Sequence, residues 1–136
     1  MAAVASPGYF ATRAVPKGPR DPLGHRCINQ RMPTSGGLYV WDFERRGKQV
    51  NVRVDGQLIF NTSTHIVEAA LAGLAGLGVA YLPEEEFEPH LQAGRLVRVL
   101  EDWCPPFPGY CLYYPSRRQP SPAFTLVANA LRNADF

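Results

Sequence analysis

The stretch VEAALAGLAGLGVAYLPEEE, residues 67–86, carries the pattern that decides the fold class. Its first half is an apolar run at helical spacing, and Gly76 and Gly78 can adopt the left-handed conformation that ends helices. Its second half holds a short uncharged segment, VAYL, which is typical of a buried parallel strand and is closed by Pro83. The stretch therefore predicts a helix-to-strand unit of an α/β sheet.

The residues before this unit predict the start of the helix and the strand that leads into it. Leu58-Ile59-Phe60 is a short strand, and Asn61 or Thr62 can cap the helix by accepting hydrogen bonds from its first free amides. The helix has one apolar stripe at spacings of three and four, formed by Ile66, Val67, Ala70, Leu71 and Leu74.

Further upstream, residues 38–56 predict a β-hairpin. Tyr39, Trp41 and Phe43 alternate with other residues on one arm, and Val50, Val52 and Val54 alternate on the other. Period two on both sides of a turn that contains Gly47 indicates antiparallel strands. A short strand is predicted at 26–29. The start of the chain, MAAVASPGYF, is a brief apolar stretch that ends in the turn signal Ser6-Pro7-Gly8, and it is assigned no strand.

The remaining residues complete the predicted order of elements. A short acidic helix follows Pro83 and ends at Ala93-Gly94, and a strand follows at 96–100. A proline-rich crossing then leads to a strand in YCLYYPS and to a last helix, with Ser121 as its cap and Pro122 at its first position. Helices that alternate with strands predict βαβ units.

Composition excludes several classes of protein. The chain has 136 residues, 46% of them hydrophobic, and a formal charge of +2, which suits one globular domain and not a non-specific nucleic-acid binder. No apolar run is long enough to span a membrane, and the start lacks the features of a secretory signal. The three cysteines have no C-x-x-C spacing, so we expect free thiols in a reducing cytoplasm.

Several blocks in a fixed order resemble the effector-binding (substrate-binding) domain of LysR-type transcriptional regulators. The blocks are ASPGYF, DPLGHRCI, GGLYVWDFERRGKQVNVRVDGQLIFN, GVAYLPE and GRLVRVLEDWCPPFPGYCLYYPSRRQPSPA. The resemblance implies an α/β, periplasmic-binding-protein-like (type II) lobe with a mixed sheet flanked by helices. It also implies a domain that is not an enzyme and has no cofactor, in which a small organic effector, an anion or an aromatic metabolite, binds between two lobes.

The resemblance predicts which part of the family domain this chain holds. We expect residues 1–136 to be a single partial domain, with the second lobe at about 7–103 and the returning strand and helix of the first lobe at about 110–132. The resemblance implies a cytoplasmic homo-oligomer that binds DNA through an N-terminal winged helix-turn-helix, and we expect residues 1–136 to contain no such segment. Family members also pass directly from EAALAGLG into the strand, whereas here AGL is doubled at 72–77. We expect the doubled segment to bulge or lengthen the helix end without moving the strand.

An open α/β sheet binds ligands beyond the carboxyl ends of its parallel strands, where helices begin. Phe60–Thr64 lie at such a helix start, which favours an anion, although an ordinary cap would also explain these polar residues. Arg31 offers a fork of donors to a carboxylate and could equally be a solvated loop residue. Ser6 is either a ligand contact at a crossing between lobes or a turn residue. The predicted ligand-binding residues are Ser6, Asn29, Arg31, Phe60, Asn61, Thr62, Ser63 and Val79.

Two alternatives remain open beside the sensor hypothesis. One is an oligomerisation remnant without useful ligand affinity, since half of the cleft is expected to be missing. Independently of this alternative, we expect Tyr110–Leu131 to fold back on its own lobe or to dock on another copy, because its large apolar side chains would otherwise be exposed. The other is an enzyme that uses Cys27 with His25, His65 or His90. A cysteine nucleophile needs a neighbouring base and an oxyanion hole, and His25-x-Cys27 is too sparse for zinc, so the sequence predicts neither catalysis nor a metal site.

Overall fold

The computed structural model describes residues 1–72, 76–107 and 121–133. Contacts divide the chain into two units, Met1–Pro106 and Phe107–Phe136. The strands are β1 (Ala2–Ala5), β2 (Cys27–Gln30), β3 (Trp41–Arg45), β4 (Lys48–Val52), β5 (Leu58–Phe60), β6 (Val79–Leu82) and β7 (Val97–Val99). The helices are α1 (Pro7–Phe10), α2 (Ser63–Leu71), α3 (Glu88–Gln92) and α4 (Pro122–Arg132), and 3₁₀ turns cover Asp21–Gly24, Glu84–Glu86 and Glu101–Trp103.

The second unit is described through its helix, α4. The Ser121 hydroxyl accepts a hydrogen bond from the Phe124 amide at 3.2 Å, and Pro122 opens the helix. The predicted last helix and its cap are therefore confirmed. The predicted strand in YCLYYPS, and with it residues 110–120 of the expected docking segment 110–131, lies outside the described residues.

A five-stranded mixed sheet in the order β5-β2-β6-β1-β7 forms the centre of the first unit. β2 pairs in parallel with both β5 and β6, as the sequence predicts for VAYL, whereas β1 is antiparallel to β6 and β7. β1 was missed by the sequence analysis. Its four residues, AAVA, are all buried and so show no alternation, and alanine has a low strand propensity.

The two faces of this sheet are covered by different elements. On one face Ile66 and Ala70 of α2 belong to a cluster with Ile28, Ala80 and Leu82 of the sheet. On the other face the hairpin β3–β4 covers Cys27, Val79 and Tyr81, with Trp41, Phe43, Val52 and Val54 buried in the same cluster. The hairpin is as predicted: Trp41 pairs with Val52, and Arg46 and Gly47 have the positive φ values of a two-residue turn.

The doubled AGL segment does not lengthen α2. The helix ends at Leu71, five residues before Gly76, and the Leu77 amide returns to the Ala69 carbonyl at 3.0 Å. Gly76 has φ +62°, as expected of it, although the helix ends earlier than the sequence predicts. β6 still pairs in parallel with β2, so the strand keeps its place in the sheet.

We predict that Gly76→Ala destabilises the fold more than Gly94→Ala does. Both glycines have positive φ, which costs any other residue about 1 kcal/mol, but a Cβ at Gly76 would lie 2.4 Å from the Ala70 carbonyl oxygen. A Cβ at Gly94 would meet no atom within 4 Å. Urea unfolding should show a loss of about 1 kcal/mol for Gly94→Ala and at least about 2 kcal/mol for Gly76→Ala. Equal losses would contradict the close contact at Gly76.

Candidate functional site

The carboxyl ends of the three parallel strands lie at one edge of the sheet. β2 ends at Gln30, β5 at Phe60 and β6 at Leu82, and α2 begins three residues after Phe60. The Arg31 amide donates to the Phe60 carbonyl at 2.7 Å, which holds the ends of β2 and β5 together. This edge therefore brings together five of the eight predicted ligand-binding residues: Arg31, Phe60, Asn61, Thr62 and Ser63.

The start of α2 offers polar groups that its own helix does not use. Thr62 has the extended conformation of a capping residue, but its hydroxyl bonds to the His65 ring nitrogen Nδ1 at 2.6 Å and not to a first-turn amide. Within the described part of the chain, the side chains of Asn61, Ser63 and Thr64 form no hydrogen bond. The ordinary-cap alternative fits Thr62, whose partner His65 belongs to the same helix, but it does not explain the unpaired side chains of Asn61, Ser63 and Thr64. Amides at the positive end of the helix can donate hydrogen bonds to an anion.

His65 belongs to this edge, and the sequence analysis considered it only as a catalytic candidate. Its ring lies 5.8 Å from the ring of Phe60, tilted by 32°. The signal was present in the sequence, because residues three apart on a helix share a face, and Thr62 and His65 have that spacing. The edge thus combines a planar aromatic surface with hydroxyl, amide and imidazole groups.

The Arg31 side chain is exposed, and only part of its guanidinium group has a hydrogen-bond partner. Its guanidinium donates to the Gly36 carbonyl at 2.7 Å, and its backbone forms an isolated bridge with Leu38. None of the ion pairs formed by the described residues includes Arg31. Other guanidinium donors of Arg31 are therefore still available to a carboxylate.

The structure places Ser6 and Val79 at the opposite ends of these strands, and it places Asn29 near the carboxyl end of β2 but on the other face of the sheet. β1 runs against β6, with Val4 opposite Ala80, so Ser6 follows β1 at the edge where β6 begins with Val79. There the Ser6 hydroxyl accepts from the Tyr9 amide at 3.1 Å and begins α1. Asn29 is 1% exposed, and alternation along β2 places it on the same face as Cys27, beneath the hairpin and away from α2.

The thiol of Cys27 is not arranged as a nucleophile. Its Sγ donates to the Pro22 carbonyl at 3.3 Å, while His25 Nδ1 lies 3.2 Å from the Tyr9 hydroxyl. Burial, with a smaller effect of Asp55, raises the pKa of Cys27 to about 12, so the thiolate is not formed at neutral pH. No group of three or more metal-binding side chains occurs among the residues that the structure describes.

The family model of the LysR substrate binding domain matches residues 1–135. The chain belongs to the LysR substrate-binding domain family. A proposed transcriptional regulator of Pseudomonas aeruginosa is 67% identical over 132 residues, which are 97% of this chain and 42% of that protein. The regulator PgrR of Escherichia coli is 42% identical over 132 residues, 97% of this chain and 43% of PgrR.

The regulatory domain of AphB from Vibrio vulnificus has the same fold, with a TM-score of 0.64 and 26% identity over 75% of this chain and 48% of that chain. The expected type II periplasmic-binding-protein-like fold is therefore confirmed. The LysR substrate-binding domain is a non-enzymatic module of transcriptional regulators, which agrees with the inert environment of Cys27. This chain spans about two fifths of the length of the two curated relatives. No helix in the described ranges has the length and apolar character needed to cross a membrane.

Ser6 and Thr62 should differ in their contribution to stability. The Ser6 hydroxyl caps a buried amide, so Ser6→Ala should lower the free energy of unfolding by about 1–2 kcal/mol. The Thr62 hydroxyl caps no amide, so Thr62→Ala should cost less than about 0.5 kcal/mol. Thermal or urea unfolding of the two variants measures the difference; a larger loss for Thr62→Ala would mean that Thr62 caps α2 after all.

The raised pKa of Cys27 predicts a loss of stability at high pH. The thiol titrates near 9.0 when unfolded and near 12 when folded, so the folded state favours the protonated form. The contribution of the protonated thiol to the free energy of unfolding is complete below the pKa of the unfolded state. It decreases as the pH rises from about 9 towards 12. Iodoacetamide at pH 8.5 should therefore modify Cys27 far more slowly in the native chain than in urea, as followed by mass spectrometry of the peptide. Equal rates would contradict the buried, protonated thiol.

Proposed function

We propose that this chain is the effector-sensing part of a cytoplasmic LysR-type transcriptional regulator, and that a small organic anion binds at the carboxyl edge of its parallel strands. The observation that carries the proposal is the start of α2, where helix amides and the side chains of Asn61, Ser63 and Thr64 have no partner among the described residues. Membership of the LysR substrate-binding family supports the proposal that a ligand binds. The free amides at the start of α2 support the proposal that this ligand is an anion.

The same edge supports a ligand with a flat apolar part. Phe60 and His65 present neighbouring rings, while Arg31 and the first turn of α2 supply donors for a carboxylate. An aromatic or unsaturated carboxylate would place its ring against Phe60 and its charge at the helix start. The proposed site does not include Ser6 and Val79, which lie at the opposite ends of the strands. It also does not include Asn29, whose side chain lies on the hairpin face of the sheet.

In the proposed arrangement residues 7–103 form the second lobe of the family domain, and residues 110–132 return to the first lobe. β1 joins the second lobe in this proposal, since it pairs with β6 and β7. An effector bound between the two lobes would change the orientation of this lobe relative to the rest of a homo-oligomer. DNA would then be bound only by an N-terminal domain of the kind present in longer regulators.

A thermal-shift panel of small carboxylates, including benzoate and other aromatic acids, tests the proposal on the full chain. A ligand at 100 times its Kd should add about 2.7 kcal/mol to the free energy of unfolding. Arg31→Gln and Asn61→Ala should reduce the shift, and Lys48→Gln, at the hairpin turn, should leave it unchanged. The absence of a shift with every acid would overturn effector binding by this chain and favour the oligomerisation remnant.

A further inference from the structure

The hairpin holds a cavity at the base where its two arms diverge. Residues 37–40, which lead into β3, and residues 53–55, which follow β4, line a cavity of about 370 Å³. Each wall is tied to β2: the Tyr39 amide donates to the Gln30 carbonyl at 2.8 Å, and the Cys27 amide donates to the Asp55 carbonyl at 3.4 Å. The cavity is therefore bounded by segments anchored on the central sheet, which positions its side chains.

This cavity and the start of α2 belong to opposite faces of the sheet. Val54 is buried in the cluster that the hairpin forms with Tyr81, and Tyr39 packs against that cluster. Phe60, in contrast, packs against the cluster around α2. A ligand in the hairpin cavity would therefore occupy a second site, separate from the proposed effector edge.

The walls of the cavity are apolar and aromatic. Leu38, Val40 and Val54 supply aliphatic surface, and Tyr39 supplies a ring whose hydroxyl donates to Asp42 Oδ1 at 2.7 Å. Burial, followed by the bond to Asp42, raises the pKa of Tyr39 above its usual range, so the phenol is neutral at physiological pH. A charged group of a ligand would therefore have to pair with other residues of the lining.

Two opposite charges in the lining are left unpaired. Arg53 and Asp55 are both exposed and both line the cavity, and neither takes part in the ion pairs that the described residues form. They are two residues apart on one arm, so alternation in an extended segment places them on the same side. A guanidinium can bind a carboxylate through two parallel bonds, and a carboxylate can accept from an ammonium group.

We propose that the hairpin cavity binds a free α-amino acid with an apolar side chain. Arg53 would bind its carboxylate and Asp55 its ammonium group, with the side chain against Leu38 and Val40. The volume lies at the lower end of the range of about 300–1,000 Å³ typical of ligand sites, which suits a molecule of this size.

Titration of the ¹⁵N-labelled full chain with L-leucine tests the proposal by NMR. Saturable shifts are expected for the amides of 37–40 and 53–55, with a Kd on the order of 1 mM. Isovalerate and isoamylamine each retain the apolar part but only one charge, and each should bind at least about tenfold more weakly, a loss of about 1.4 kcal/mol. Arg53→Gln and Asp55→Ser should weaken L-leucine binding to a similar extent, whereas Lys48→Gln should not.

The outcomes separate this site from the effector edge. No shift with L-leucine, or equal binding of the three probes, would overturn the proposal while leaving the effector edge untouched. Shifts confined to residues 61–65 would mean that the amino acid binds at the start of α2, so that the hairpin site fails and the effector edge gains a ligand. Unchanged amide positions elsewhere in the variants confirm that they fold.

Discussion

The insertion of β1 between β6 and β7 is the constraint on which the rest of the first unit depends. Its three alanines and one valine are fully buried, and they lie between the α2 cluster on one face and the hairpin cluster on the other. Small side chains allow both layers to pack closely, and a larger residue would have to displace one of them. Because β1 runs antiparallel to β6, it carries Ser6 to the ends of the strands opposite the start of α2.

Much of the fold could be predicted from local patterns, since those patterns record which face of an element is buried. The hairpin alternates strictly, VAYL is short and uncharged, and Ser121-Pro122 starts α4 as caps usually do. β1 could not be found in this way, because a strand buried on both faces has no alternating pattern. The end of α2 was misplaced because Gly76 adopts its left-handed conformation in the connection and not at the helix terminus.

Only those parts of the candidate site could be predicted for which the sequence indicates the direction of the strands. Arg31 and the start of α2 follow from the rule that parallel strands present their carboxyl ends together, and the structure places them so. The positions of Ser6 and Val79 could not be predicted without knowing the direction of β1. The position of the Asn29 side chain could not be predicted without knowing which face of β2 it lies on. Both depend on how the strands pair in the folded protein. His65 was missed for another reason: its contact with Thr62 is local, but the residue was weighed only as a catalyst.

The central claim is that an effector binds where α2 begins, at the carboxyl ends of β2 and β5. A crystal structure of the chain with a carboxylate that raises its melting temperature tests this most directly. We expect the carboxylate within hydrogen-bond distance of the first-turn amides of α2 and of the Arg31 guanidinium. Electron density for the ligand at the opposite edge, beside Ser6 and Val79, would contradict the account.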